Sequence, residues 1–141
     1  MKNLLLILAL FFVSCDEVKD TVIKEKEIGF ECSNFSDKYQ LIYKKYGEGL
    51  FVNEKKSGDL RIYSLHTHPM FKLEGEYYMS LNAENSTRFT INRVSLKYAY
   101  TFKKDGVLNT IAAGNCEVVE PSYIRKEIER KNKEERAKVK V

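Results

Sequence analysis

Hydrophobic and polar positions alternate through most of the chain. Tyr39, Leu41 and Tyr43 share one face of an extended segment, which is the two-residue period of a strand. Gly47 and Gly49 break it, and Leu50 to Glu54 reads as a short strand. Lys56-Ser57-Gly58-Asp59 is a turn. Leu60, Ile62 and Ser64 then oppose Tyr63 and Leu65, and Pro69 is expected to end that segment. Phe71 to Leu73 and Tyr77 to Leu81 form short strands around Gly75. A polar turn at Ala83 to Ser86 leads to Arg88–Asn92. The next strand has Val94, Leu96, Tyr98, Tyr100 and Phe102 in alternation. Lys104-Asp105-Gly106 is a strong turn signal, and Cys116 to Val119 is the last strand. No sustained helical period occurs between residues 30 and 119, and parallel pairing would need helical crossovers. The pattern predicts a mostly β domain, a small antiparallel barrel or sandwich.

Both ends differ from this core. Leu4 to Val13 is an unbroken apolar run of ten residues after Lys2. A membrane span needs about 20 apolar residues, whereas a signal-peptide core needs about 7–15. Residues 1–14 therefore read as a cleaved leader. Residues 15–29 are charged, with scattered Val and Ile, and read as a tether. Beyond Pro121 the chain turns helical. Ser122 is a candidate N-cap, and Ile124 and Ile128 make one short apolar stripe. Glu127/Lys131, Glu129/Lys133 and Glu134/Lys138 are spaced for ion pairs. Residues 120–141 are expected to form a charged helical tail whose first turns dock and whose remainder frays.

Phe12-Val13-Ser14-Cys15, placed directly after the apolar run, resembles the lipobox of bacterial lipoproteins. That resemblance implies cleavage before Cys15 and a diacylglyceryl thioether on its sulfur. Phe12 is bulkier than the Leu usual there, while Ser14 is the expected small residue. Buried acyl methylenes contribute about 0.8 kcal/mol each, and stable anchoring takes more than one chain, so a diacylated cysteine suffices without a spanning helix. The expected location is the cell envelope, with the membrane as first partner. The acidic cluster Asp16, Glu17 and Asp20 resembles both inner-membrane retention and surface-export signals, so the choice of membrane stays open.

With Cys15 assigned to the anchor, Cys32 and Cys116 remain as a pair in an oxidising compartment. They are expected to form a disulfide closing a loop of about 85 residues, for which the chain-entropy model gives about 4–5 kcal/mol. Net charge is +4 with Lys and Glu interspersed, which argues against a nucleic-acid partner.

Candidate chemistry is sparse. His66-Thr67-His68-Pro69 resembles the His-Ser/Thr-His-Pro piece of the JAMM metalloproteases, and two histidines at i and i+2 on a strand point the same way. A catalytic zinc also needs a third ligand and a base. The family's Asp falls on Met79 here and its Ser on Tyr77, so His66 and His68 stand only as weak metal candidates and a metal-dependent hydrolase is the minor alternative. Glu74 and Glu76 flank Gly75 as an exposed pair. No serine lies in a nucleophile elbow, no glycine-rich phosphate loop is present, and no cofactor is expected.

Phe30-Glu31-Cys32, Phe89-Thr90-Ile91-Asn92-Arg93 and Cys116 together resemble a pattern in small bacterial and phage envelope proteins. Asn92 is then expected to make a turn, with Arg93 facing solvent or a partner. The chain also resembles membrane-bound lysozyme inhibitors, which are small lipoproteins with a disulfide joining the ends of a β-barrel. Ser57-Gly58-Asp59-Leu60-Arg61-Ile62-Tyr63 loosely matches their Ser-Gly-x-x-Tyr loop, out of spacing by two. These likenesses imply a non-enzymatic binding domain with Ser57, Tyr63 and Arg93 as candidate ligand contacts, its partner an envelope protein or a lysozyme-like enzyme.

Overall fold

The computed structural model describes residues 26–44, 47–82, 84 and 86–139. The leader, Cys15 and the first part of the tether lie outside these residues. Eight strands follow in order: β1 (Ile28–Ser33), β2 (Lys38–Tyr43), β3 (Glu48–Ser57), β4 (Leu60–Leu73), β5 (Glu76–Ser80), β6 (Thr87–Asn92), β7 (Lys97–Lys104) and β8 (Val107–Val119). One helix, α1 (Pro121–Ala137), follows. Each strand pairs antiparallel with the next, and β8 returns to β1 to close a barrel.

The strand alternation sets the inside. Phe30, Leu41, Phe51, Met70, Tyr77, Met79, Phe89, Ile91 and Tyr98 point inward and are buried, with Tyr39, Tyr43 and Tyr100 packed against them. Eight strands give a bore just wide enough for side chains to fill or for one small ligand, and here these inward side chains form one buried cluster. Tyr39 lies at the centre of an aromatic cluster, 5.5–6.2 Å from the rings of Phe51, Phe89, Tyr98 and Tyr100. Such tilted and edge-on contacts add stabilisation beyond area burial.

The chain's two outermost strands meet at the β1–β8 seam. Cys32 lies directly opposite Cys116, and they form the expected disulfide with Cα atoms 3.9 Å apart. Two glycines permit this approach. A Cβ on Gly29 would come within 2.5 Å of the Val119 carbonyl, and a Cβ on Gly114 within 2.8 Å of the Tyr98 ring as well as against the Ser33 carbonyl.

Several boundaries depart from the sequence reading. The domain begins at Ile28 inside the assigned tether, because β1 needs residues opposite Tyr43 and Ile42. Pro69 does not end a strand: β4 runs through it to Leu73. Met70 donates its N–H to Gly47, on the β3 side, so the alternation turns the nitrogen of Pro69 the other way. There a missing donor costs no ladder bond. Val94 is not in a strand either. Asn92 Oδ1 accepts the N–H groups of Val94 and Ser95 at 3.0 and 2.8 Å, making a turn as expected of Asn92 and leaving Val94 exposed. The final strand starts at Val107, well before Cys116.

The helix also differs. Its N-cap is Glu120, with no side-chain cap bond, and Pro121 opens the first turn, where its missing N–H is no loss. Ser122 therefore lies inside the helix. The remainder does not fray: α1 extends to Ala137 and crosses the outer wall over β1, β2 and β4. Ile124 is fully buried and sits against Gly29. Ile42, on the outer side of β2, is fully buried as well. Within the helix, the ion pairs among the described residues are Arg130 with Glu127 and Glu134, and Lys138 with Glu135, rather than the i,i+4 Glu–Lys pairs.

Candidate functional site

Register decides which backbone groups are left over. β4 pairs with β5 only from Met70 onward, so its Leu60–Pro69 stretch has β3 on one side and an open edge on the other. Arg61 and Tyr63 direct their N–H groups to that edge. The helix supplies their partners. Asn132 Oδ1 accepts the Tyr63 N–H at 2.8 Å, and Asn132 Nδ2 donates to the Tyr63 carbonyl at 2.8 Å. Glu135 Oε2 accepts the Arg61 N–H at 3.1 Å. A carboxamide here imitates the peptide group of a missing neighbouring strand. The Lys138 ammonium and the Arg61 N–H hold the Glu135 carboxyl below the usual carboxylate range.

The Tyr63 backbone is thus tied to the helix. The Tyr63 ring lies on the outer wall with Lys131 Nζ 5.0 Å from the centroid, a cation–π geometry. Lys38, Gln40, Val52 and Glu54 complete a small pocket of about 160 Å³ around Tyr63 and Lys131. Ser57 sits apart at the exposed tip of the β3–β4 hairpin, paired with Leu60. Arg93 sits at the opposite end of the barrel, where its N–H donates to Gly75 at 3.0 Å and its guanidinium lies 5.5 Å from the Tyr77 ring. Ser57, Tyr63 and Arg93 therefore do not converge on one site. Their spacing in sequence concealed a direction reversal at every turn.

The histidines do share a face. His66 and His68 point with Ser64 and Met70 to the inner side of β4, opposite Phe51 and Gly49. His66 Nε2 is 3.0 Å from Ser64 Oγ. His68 packs edge-on to Phe51, and its Nε2 is buried without a partner among the described residues. Burial, and secondarily the neighbouring His66, pushes the His68 imidazole below its ordinary value. Among the described residues no group of three His, Cys, Asp or Glu side chains is placed to hold a metal ion. Glu74 and Glu76 are exposed around the β4–β5 turn.

A second open edge lies at the seam. β1 pairs with β8 only from Asn115 onward, and β8 continues to Val107 with no strand beside it on that side among the described residues. The groove where β1 stops has a volume of about 360 Å³ and is lined by Ser33, Asn34, Phe35, Ala113, Gly114 and Asn115. Phe35 is fully exposed there. The Gly106-to-Cys116 stretch carries no charge, a feature legible in the sequence but assigned no strand by it.

Among the described residues no helix is long and apolar enough to cross a membrane. No protein-family model matches the chain, and neither a curated protein nor a solved structure matches it.

Proposed function

We propose that the chain is a lipid-anchored protein of the bacterial cell envelope, tethered through Cys15, whose barrel is a non-enzymatic binding module. The observation that carries this reading is the Cys32–Cys116 bridge, buried in the barrel wall. Structural disulfides persist in oxidising compartments and are rare in the cytosol. The leader and lipobox-like Phe12–Cys15 segment supply the route to such a compartment and the anchor. The large apolar and aromatic side chains clustered inside the barrel favour ligand contact through the outer surfaces and edges. Labelled palmitate tests the anchor. Label should enter the parent protein and be lost in Cys15→Ala, which should leave the membrane fraction. A mass spectrum showing an intact Met1, or an unmodified Cys15 thiol, ends the proposal.

A second reading is favoured by one geometric feature. Ser57 stands at the tip of an exposed hairpin on a barrel whose terminal strands are joined by a disulfide, as the resemblance to lysozyme inhibitors implies. On this reading the tip enters a lysozyme cleft. Inhibition by the protein that is weakened by Ser57→Ala supports it, and full lysozyme activity at a large molar excess of protein excludes it.

A further inference from the structure

The barrel's open edges are not equivalent. The edge of β4 is covered by Asn132 and Glu135 of α1, and Pro69 removes a further donor. The upper edge of β3 carries Glu54, Lys55 and Lys56, and that of β7 carries Lys103 and Lys104, with the Lys103 N–H donating to Ser86. Charges, proline, bulges and covering elements are the usual devices that prevent edge-to-edge pairing. Among the described residues, positions 107–114 of β8 have no charge, proline or covering element, and of these devices carry only the bulge at Ile111.

The ladder to β7 fixes which groups are free. Tyr100, Tyr98 and Leu96 lie opposite or bond to Ala112, Gly114 and Cys116, and a bulge separates them from the Thr101–Thr110 pair. By alternation, Leu108, Thr110 and Ala113 turn their N–H and C=O groups to the open side. Among the described residues no hydrogen bond satisfies them there. Three large apolar side chains crowd the same strand: Val107, Leu108 and Ile111 are 61%, 55% and 51% exposed. Phe35 is exposed beside its lower end.

We infer that this edge pairs with the same edge of a second copy, antiparallel about Thr110. Complementary bulk chooses that occupant, because the reversal sets Val107 and Leu108 of each copy against Ala113, Gly114 and the Phe35 groove of the other. Charge does not oppose the pairing: residues 107–114 carry no charged side chain, and the hairpin tip with Lys103, Lys104 and Asp105 would meet a turn that holds both Asp37 and Lys38. The β7–β8 hairpin of each copy fills the space above the β1–β2 turn of the other. The contact is isologous and short, since the Ile111 bulge interrupts it, so the dimer should dissociate on dilution. The inference is independent of the anchor.

Sedimentation of the intact protein in density-matched detergent tests it, with a Thr110→Cys variant run on a non-reducing gel. A reversible monomer–dimer equilibrium is expected, together with efficient Thr110→Cys self-crosslinking and none for Lys56→Cys on the other hairpin. Thr110→Pro should lose the dimer while melting like the parent. A monomer at every accessible concentration, equal crosslinking at both positions, or a dimer untouched by Thr110→Pro in a folded protein each overturns the pairing. A monomer that instead takes up an extended peptide along β8 overturns the second copy as occupant.

Discussion

Cys32 and Cys116 face each other across the one seam of the barrel that joins strands distant in sequence, 84 residues apart. All other strand pairs are hairpin neighbours. The bridge therefore replaces the turn that the β1–β8 pair lacks. Chain-entropy bookkeeping for such a loop gives about 4–5 kcal/mol, comparable to the entire stability of many small domains. Reduction, or Cys32→Ala with Cys116→Ala, should lower the melting temperature strongly, and the loss should appear first as exposure of the β1–β8 seam to hydrogen exchange. Unchanged melting under reductant would contradict this.

Backbone contact at that seam predicts a ranking among glycines. A Cβ at Gly29 meets a carbonyl of the paired strand, and a Cβ at Gly114 meets the Ser33 carbonyl. These neighbours cannot rotate away. At Gly49 the nearest atoms are the flexible ends of Met79 and Met70. Overpacking of this kind costs about 1–3 kcal/mol. Gly29→Ala and Gly114→Ala should destabilise more than Gly49→Ala in urea titrations, and the reverse order would show that the seam tolerates separation.

The helix was expected to fray beyond its first turns, and the bonds of its later turns to β4 reverse that expectation. Asn132 satisfies both backbone groups of Tyr63. Removing a partner from a partly buried donor costs about 1–3 kcal/mol. Asn132→Ala should be destabilising by that order, whereas Lys133→Ala, on the exposed side, should be near neutral. Truncation after Glu129 should expose the β4 edge and promote association. Light scattering of the truncated protein measures this, and association no greater than the parent's at equal stability would refute the role of α1 as an edge cover.

Much of the strand order was legible because alternation, turn residues and paired cysteines agree from Tyr39 to Phe102. What escaped had a common cause: it depended on which way a backbone group faces. Pro69 reads as a terminator until its nitrogen is known to point to an open edge. Asn132 and Glu135 read as solvent residues on a charged helix because their partners are peptide groups about 70 residues away in sequence, and peptide groups leave no trace in side-chain pattern. The Val107–Asn115 stretch lacks polar alternation, so only its turn and its cysteine end were visible. The histidine pair was legible as a same-face motif. Its lack of a third donor became visible only when the strands around it were placed.

Acid should weaken the attachment of α1. Arg125 donates two hydrogen bonds to Glu27, at 2.8 and 2.9 Å, tying the helix to the residue just ahead of β1. These bonds hold the Glu27 carboxyl below the usual carboxylate range, against a smaller opposing effect of burial. A lowered folded pKa means that the stabilisation is complete above the unfolded carboxylate value of about 4.3 and is lost as pH falls through the lower folded value. Glu27→Gln should therefore be less stable than the parent at neutral pH, and the two should converge in strong acid. A constant difference across the range would show that the pair contributes through shape alone.

His68 predicts a separate transition nearer neutrality. Its imidazole is kept neutral by burial, with Nε2 lacking a partner among the described residues. The unfolded chain takes up a proton near the ordinary histidine value of about 6.5, while the folded barrel resists it. The folded state is then fully favoured above that value and loses stability as pH falls below it, until the folded imidazole also protonates. His68→Phe should flatten the decline in stability as pH falls below about 6.5, and His66→Phe, at an exposed position, should leave most of the slope intact. Denaturant midpoints above and below that value measure both. If the parent's midpoint shows no decline there, the barrel accepts the proton and His68 is not held neutral.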